Sequence, residues 1–474
     1  MFSDPASRPA LAYPAATGAP LRVGMIGIGT VGLGTWRVLQ RNQMAIAGRA
    51  GRPINIVAIA ARNLTRAAQQ LGDAPGVALT SDPLQLATRP DIDVLVEVAG
   101  GTGPAREWVL AAIAHGKHVV TANKALLAEH GNEIFAAAHQ RGVAVAYEGA
   151  VAVSIPIVKA LREGLAANQV EWVEGIVNGT TNFILTRMRE AGLGFDEALA
   201  EAQALGYAEA DPTFDIEGID AAHKITLLAA NAFGMPVRFG DVQVQGITAL
   251  QGLDVACAAQ LGYRIKLLGV ARRRTGSDAG GVELRVQPAL VPATHLMAQV
   301  NGSMNAIMVK GDAAGVTMYY GAGAGSEQTA SAVIADLVDV ARLGGTHAAQ
   351  RVPHLGFHAH AMDEQLTVLP RAAVHTRHYL RVPVHSAQQI EAVGAWLAAQ
   401  QVPVAQIALA QDKALASLPT HLLQPSQPWG SGPQVLVLTD AVAQSTVDLA
   451  VVALAAHPAV TGPVVTLRVE TLEG

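Results

Sequence analysis

Five carboxylates and a lysine crowd one short stretch of this chain, GYAEADPTFDIEGIDAAHK, from Gly206 to Lys224. Glu209, Asp211, Asp215, Glu217 and Asp220 fall within twelve residues, and Lys224 follows Asp220 at i+4. On a helix that spacing puts the two on one face, about one turn apart. An acidic pocket suits an ammonium group on a ligand, and a lysine beside it suits proton transfer. The same spacing also describes an ordinary surface ion pair worth ~0.3–0.5 kcal/mol, and carboxylates usually stay solvated. The surroundings must decide.

A second candidate lies near the N-terminus, where Gly27-Ile28-Gly29-Thr30-Val31-Gly32 follows the apolar run Leu21–Ile26 and precedes a helical pattern reaching about Arg41. Glycine spacing alone is weak evidence; the strand–turn–helix context gives it meaning. The first glycine permits a tight turn, the second admits a diphosphate to the backbone, and the third lets helix and strand pack closely. At the end of the next strand the chain reads Ala60-Ala61-Arg62-Asn63, with Arg66 one turn on and no acid nearby. An acid there favours NAD, whereas an arginine accommodates a 2′-phosphate, so the expected cofactor is NADP(H), with NAD(H) as the alternative. A nucleotide fold joined to an acidic, lysine-bearing segment points to a dehydrogenase acting on an amino acid.

Among the elements that hold these groups, short apolar strands are expected at 21–26, 54–60, 93–99, 117–122 and 143–148, alternating with helices, one opened by Pro104 and one spanning 125–141. That alternation implies an α/β fold with a Rossmann-type, doubly wound parallel sheet over residues 21–150. Residues 151–320 read as an α+β substrate-binding and dimerisation domain, with helices near 157–167, 196–205 and 219–233 and strands near 172–178, 282–287 and 305–310. A glycine-rich turn, 319–326, leads into a helix over 329–343, and the helix at about 321–345 is expected to complete the first domain. Residues 346–376 read as a linker, and 377–474 as a small regulatory-type domain in βαββαβ order.

With 474 residues the chain can hold two or three cores, and 15% charged residues against 50% apolar ones argue for folded elements. A net charge of −5 offers no basic field for nucleic acid or anionic membrane. One cysteine, Cys257, rules out an internal disulfide and fits a reducing cytoplasm. It lies in an Ala-rich stretch (DVACAAQLGYRIKLLG) expected to be helical, without a glycine elbow or base to make it a nucleophile. Residues 1–20, rich in Pro and Ala, read as a disordered tail rather than a secretory signal, with no further domain expected before residue 21. No apolar run reaches the roughly 18–20 residues of a membrane helix. His354, His358 and His360 have zinc-like spacing, but a Gly/Pro-containing linker without cysteine favours ordinary histidines.

The motifs together carry a family resemblance. The chain resembles homoserine dehydrogenases in its nucleotide loop, Asp93-Val-Leu-Val-Glu97 before Gly100-Gly101, GKHVVTANKALLAEHG (116–131), Glu148 to Pro156, GIVNGTTNFILTRM (175–188), the acidic segment, and YYGAGAG with TASAV (319–333). These blocks span about residues 21–345. The resemblance implies interconversion of L-homoserine and L-aspartate 4-semialdehyde with NAD(P)(H), as in threonine and methionine biosynthesis, by a cytoplasmic homodimer or homotetramer. It makes Lys224 the general acid/base, and Glu209, Asp215 and Asp220 substrate ligands. Lys124 would lie between nicotinamide and substrate. Gly27, Gly29, Thr30, Val31, Gly32, Arg62, Gly206, Glu209 and Gly325 would meet the cofactor. It further implies a monovalent cation, sodium or potassium, on main-chain carbonyls at Glu148, Val151, Val153 and Ile155, although Val153-Ser154 stands where the family usually has glycines. Gln328 stands where a proline is common. The last hundred residues look like a divergent ACT domain. The usual acid and glycine after its first strand are missing from His385-Ser-Ala-Gln-Gln389, which puts threonine inhibition in doubt.

A lysine that relays the hydroxyl proton works best with its pKa drawn towards working pH from a free value near ~10.4. Burial and a second cation such as Lys124 would lower it, and Asp220 would raise it; spacing alone leaves the direction open. Two rival readings are another amino-acid-linked NADP oxidoreductase on this scaffold and a non-catalytic nucleotide-sensing module.

Overall fold

The computed structural model describes residues 18–274, 280–344, 346–411 and 432–472; most of the expected N-terminal tail, residues 1–17, lies outside them. The chain divides into two compact units, Met1–Ala166 with Ala324–Ala361, and Ala167–Gly323 with Met362–Gly474.

In the first unit, β1 (Leu21–Ile26), β2 (Ile54–Ala60), β3 (Ala78–Thr80), β4 (Val94–Glu97), β5 (His118–Thr121) and β6 (Val145–Ala146) form one sheet in the order β3-β2-β1-β4-β5-β6. Every neighbouring pair is parallel. Strands buried on both faces need continuous apolar runs, and LRVGMI, INIVAIA and VLVE supply them. The chain reverses its winding between β1 and β4, and ligands of such sheets sit at the carboxyl ends of the strands flanking that reversal. The helix Ser326–Arg342 packs into this core through Ala330, Val333, Ile334 and Leu337.

The second unit holds β7 (Val170–Ile176), β8 (Gln243–Val244), β9 (Tyr263–Arg274), β10 (Gly281–Pro292), β11 (Met304–Gly311), β12 (Gly315–Ala322), β13 (His375–Pro383), β14 (Val404–Leu409), β15 (Gln434–Thr439), β16 (Val442–Ala443) and β17 (Val465–Val469). The main sheet runs β12-β11-β7-β9-β10-β17-β13-β15-β14. Among the described residues the C-terminal segment runs β13, helix Ile390–Ala399, β14, β15, β16, helix Gln444–Ala455, β17, the expected order but for the two-residue β16, and its strands continue the sheet through β17 beside β10. The stretch around Cys257 is helical only over Gly252–Gln260. Gly262, at φ +82°, turns the chain and β9 begins at the next residue, so the expected helix is cut short.

Helix Ile219–Phe233 carries Lys224 and is buried from Asp220 to Phe233. A helix this apolar has to lie inside the protein. Gly269 on β9 lets it come close: a Cβ there would stand 3.2 Å from the Ile225 Cβ.

Candidate active site

The Lys224 ammonium is buried, with side-chain exposures of 8% for both Lys224 and Asp220. Its Nζ stands 2.8 Å from Asp220 Oδ2 and donates to the Val177 carbonyl at 2.7 Å. The surface-pair reading therefore fails. A buried charge pair is stable only when hydrogen bonds take up its remaining valences, and the NGTTN stretch supplies them. Asn178 caps helix Gly179–Glu190, accepting from Thr181 N at 2.8 Å through Oδ1. Its Nδ2 donates to Asp215 Oδ1 and Asp220 Oδ2, both at 2.8 Å. One carboxamide thus fixes a helix start and two carboxylates.

Thr180 Oγ1 stands 2.7 Å from the Tyr207 carbonyl and 3.0 Å from Asp215 Oδ2. A hydroxyl has one proton to give. If the carbonyl takes it, the contact with Asp215 needs a proton from the carboxyl itself. Burial, with the Asp220 charge, pushes the Asp215 carboxyl up from its ordinary value. Such a carboxyl is also ready to accept an ammonium donor once ionised.

The five acids separate. Asp215 and Asp220 converge with Lys224, whereas Glu209 and Asp211 are exposed and Glu217 packs against Gly246. Gly206 ends the turn after helix Phe195–Ala204 at φ +76° and is exposed. Asn178 and Thr180 were not singled out individually from sequence. Their signal was available: an Asx or Ser/Thr group immediately before an apolar helical run reads as a cap.

In the first unit, a cleft of about 810 Å³ is lined by Gly27, Gly29, Thr30, Arg37, Arg62, Asn63, Arg66, Gly100 and Ser326, among others. Gly27 has φ +103°, and a Cβ on Gly32 would stand 2.2 Å from Gly27 O, so both glycines are sterically required. Gly29 caps helix Thr30–Arg41 without a side-chain bond, and a Cβ there would meet nothing within 4 Å. That leaves an open helix N-terminus, an anion seat. Val31 is half-buried in the first turn. Ser326 Oγ donates to Thr30 O at 2.6 Å, and Gly325 caps helix Ser326–Arg342. Across the cleft, Glu97 holds the loop after β4, accepting from Ala99 N and Gly100 N at 2.9 and 3.0 Å and from Thr121 Oγ1 at 2.8 Å. Asn123 donates to Gly101 O at 2.7 Å and caps the helix that Lys124 begins. Arg62 is exposed on the cleft wall.

Glu148 is buried; its carboxylate accepts from Val158 N and Lys159 N at 3.0 and 2.8 Å, and its own N–H donates to Asp336 at 2.8 Å. Val151 follows the short turn Glu148–Ala150, and the Ile155 carbonyl accepts from Ile157 N at 2.8 Å. Val153 sits at φ +54°, a conformation glycine adopts freely and a β-branched residue resists.

His354 is half-buried, stacked on Phe135 at 5.7 Å, with Nδ1 accepting from Val145 N at 3.4 Å; desolvation and Arg162 push its pKa down to about 4. Burial pushes the Cys257 thiol up to about 12, so it stays protonated near neutral pH. Among the described residues no helix is long and apolar enough to cross a membrane.

Comparison with known proteins gives a consistent result. A family model described as homoserine dehydrogenase matches residues 156–338, and one described as homoserine dehydrogenase, NAD binding domain matches 27–148. A homoserine dehydrogenase of Pseudomonas aeruginosa is 49% identical over 453 residues, covering 96% of this chain and 99% of the relative. The crystal structure of a homoserine dehydrogenase from Thiobacillus denitrificans superposes with a TM-score of 0.86 at 49% identity, covering 96% of this chain and 99% of that one. A hyperthermophilic archaeal homoserine dehydrogenase in complex with NADPH aligns with a TM-score of 0.58 at 25% identity, covering 70% of this chain and 100% of that one.

Proposed function

This chain belongs to the homoserine dehydrogenase family, and on that premise we propose that it interconverts L-homoserine and L-aspartate 4-semialdehyde with NADP(H), using Lys224 as the proton relay. The observation that carries the reading is the buried Lys224–Asp220 pair held by Asn178 and the Val177 carbonyl.

The nicotinamide cofactor, when bound, supplies the hydride acceptor or donor. The residues do the rest. Gly27, Gly29 and Gly32, with the open helix N-terminus, suit the diphosphate. Arg62, with Arg37 and Arg66 on the same cleft wall, supports a 2′-phosphate and hence NADP over NAD. In the second unit Asp215 and Asp220 offer acceptors for the substrate ammonium. Lys224 takes the hydroxyl proton during oxidation and returns it to the forming alkoxide during reduction. Val177 O and Asp220 fix the amine so that its third proton, or its lone pair, is directed to the substrate oxygen. Glu209, Lys124, Gly206 and Gly325 enter as secondary ligands on the family's pattern. The left-handed turn at Val153 supports a sodium or potassium site on the carbonyls of Glu148, Val151, Val153 and Ile155. A higher melting temperature in sodium or potassium chloride than in choline chloride at equal ionic strength checks it.

The βαββαβ order of the last hundred residues supports an ACT-like domain, and titrating threonine into the assay decides whether it senses that amino acid. A homo-oligomer in the cytoplasm is the setting proposed; sedimentation gives its size. The deciding experiment is a spectrophotometric assay of aspartate semialdehyde reduction with NADPH and with NADH. Turnover favouring NADPH supports the proposal in full. Absence of turnover with both cofactors, while other amino-acid semialdehydes react, overturns it.

A further inference from the structure

Behind the sheet of the second unit lies a cluster of charge that the reaction does not use. Glu174 on β7, Glu283 and Arg285 on β10, Arg468 on β17 and Glu470 just after it are each at most 3% exposed. Arg272 and Arg274 on β9 complete the set. Arg285 Nε bonds Glu283 at 2.7 Å, and its Nη2 bonds Glu470. Arg468 and Arg274 also reach Glu283, at 3.2 and 2.6 Å. Arg272 Nη2 is shared: it bonds Glu174 and stands 3.6 Å from Glu470.

The distribution is uneven. Glu283 faces three guanidinium groups, which outweigh its burial and hold it down to about 2. Glu174 has one shared arginine at bonding distance, and burial with the Glu470 charge pushes it up to about 7. Its second oxygen, Oε2, is buried without a hydrogen-bond partner. Glu174 is therefore the weakly held member, mainly because it is buried, and Arg272 links it to Glu470.

Placement gives this a consequence. Glu470 N donates to Leu290 O at 2.9 Å, which pins it to the β10 edge, and Leu472 packs with Trp172 and Ile176 of β7. Three residues beyond Glu174 the chain reaches Val177, whose carbonyl accepts from Lys224. We propose that Glu470 is a positioning residue for the active site: by sharing Arg272 with Glu174, and with Leu472 packed on β7, it fixes the strand that brings the Val177 carbonyl to Lys224. The C-terminal strand is then a working part of the catalytic sheet, and any event that moves it is felt at Lys224. The inference rests on the assignment of Lys224 above.

The test is Glu470→Gln in the full chain, which keeps the shape and removes the charge. Two readouts are compared with wild type: hydrogen exchange of a peptide covering residues 170–182, with a peptide covering 94–114 of the first unit as reference, and the pH profile of kcat and KM for homoserine. The expected result is exchange at least severalfold faster in 170–182 with the reference unchanged. kcat should fall severalfold at constant KM for NADP, and the acid limb should move to lower pH because Glu174 keeps its charge further into acid. Exchange in 170–182 or an acid limb matching wild type overturns the inference. Should Glu470→Gln not fold, Glu174→Gln reads the same route from its other end, where loss of that acid limb supports the inference and an unchanged profile sinks it. If wild type fails to oxidise homoserine, the assignment of Lys224 is what falls, and the exchange data still decide whether Glu470 holds β7.

Discussion

The nucleotide cleft of the first unit and the lysine site of the second are built from different material. The cleft is mostly main chain: Gly27 and Gly32 clear space, Gly29 opens a helix N-terminus, and Glu97 shapes the opposite loop through backbone N–H groups. The lysine site is mostly side chain: Lys224, Asp220, Asp215, Asn178 and Thr180 come from two separated segments, 178–180 and 215–224, and satisfy one another largely away from water. A site of backbone groups tolerates change wherever φ and space allow. A buried side-chain site does not, because removing one member strands the others.

The sharpest way to break that contrast is at Lys224. Lys224→Met should lower kcat by roughly 10²–10⁴-fold, the usual worth of a positioned acid/base, with the fold retained by circular dichroism. Near-normal turnover would end the assignment. Asn178→Ala should come next. It frees both carboxylates and uncaps a helix, so kcat/KM for homoserine should fall by about 10–100-fold, with the KM for NADPH little changed. An equal loss for both substrates would mean the two regions are less independent than described. On the cleft side, Arg62→Ala should raise the KM for NADPH about tenfold and leave NADH unaffected, the value of one charge-assisted contact. An unchanged KM for NADPH would move the discrimination elsewhere on the cleft wall.

The smallest effect concerns stability. Lys266 is 1% exposed, donates to the Val300 carbonyl and, at 3.0 Å, to Asn182 Oδ1, and burial with Arg189 and Arg264 pushes it down to about 7. The unfolded chain, with an ordinary lysine, therefore binds more protons than the folded one between about pH 7 and 10. Stability should rise with pH across that window, by up to about 1 kcal/mol per unit. Urea denaturation at several pH values checks this, and Lys266→Met should flatten the slope.

The contrast also explains what could be read from sequence. β1 and β2 were legible to the residue because buried parallel strands are unbroken apolar runs between turn signals. β3, three residues with none fully buried, carried no such signal, and β9 was obscured by the Ala-rich helix running into it. At the cleft, local glycine spacing was enough. At the lysine site the i+4 pair was visible, but the sorting of five acids into two that converge with Lys224 and three peripheral ones was not. That sorting depends on Asn178, which lies 37 residues from Asp215 and 42 from Asp220. The sharing of Arg272 between Glu174 and Glu470 lies further out of reach, because it requires β17 to join β10.

Catalysis turns on what Lys224 touches during the reaction, and a crystal structure with NADP and homoserine bound measures it. Lys224 Nζ should stand within about 2.6–3.2 Å of the substrate hydroxyl, with Asp220 and Val177 O still on the amine. An amine that keeps only its present partners while the hydroxyl bonds another group would contradict the account.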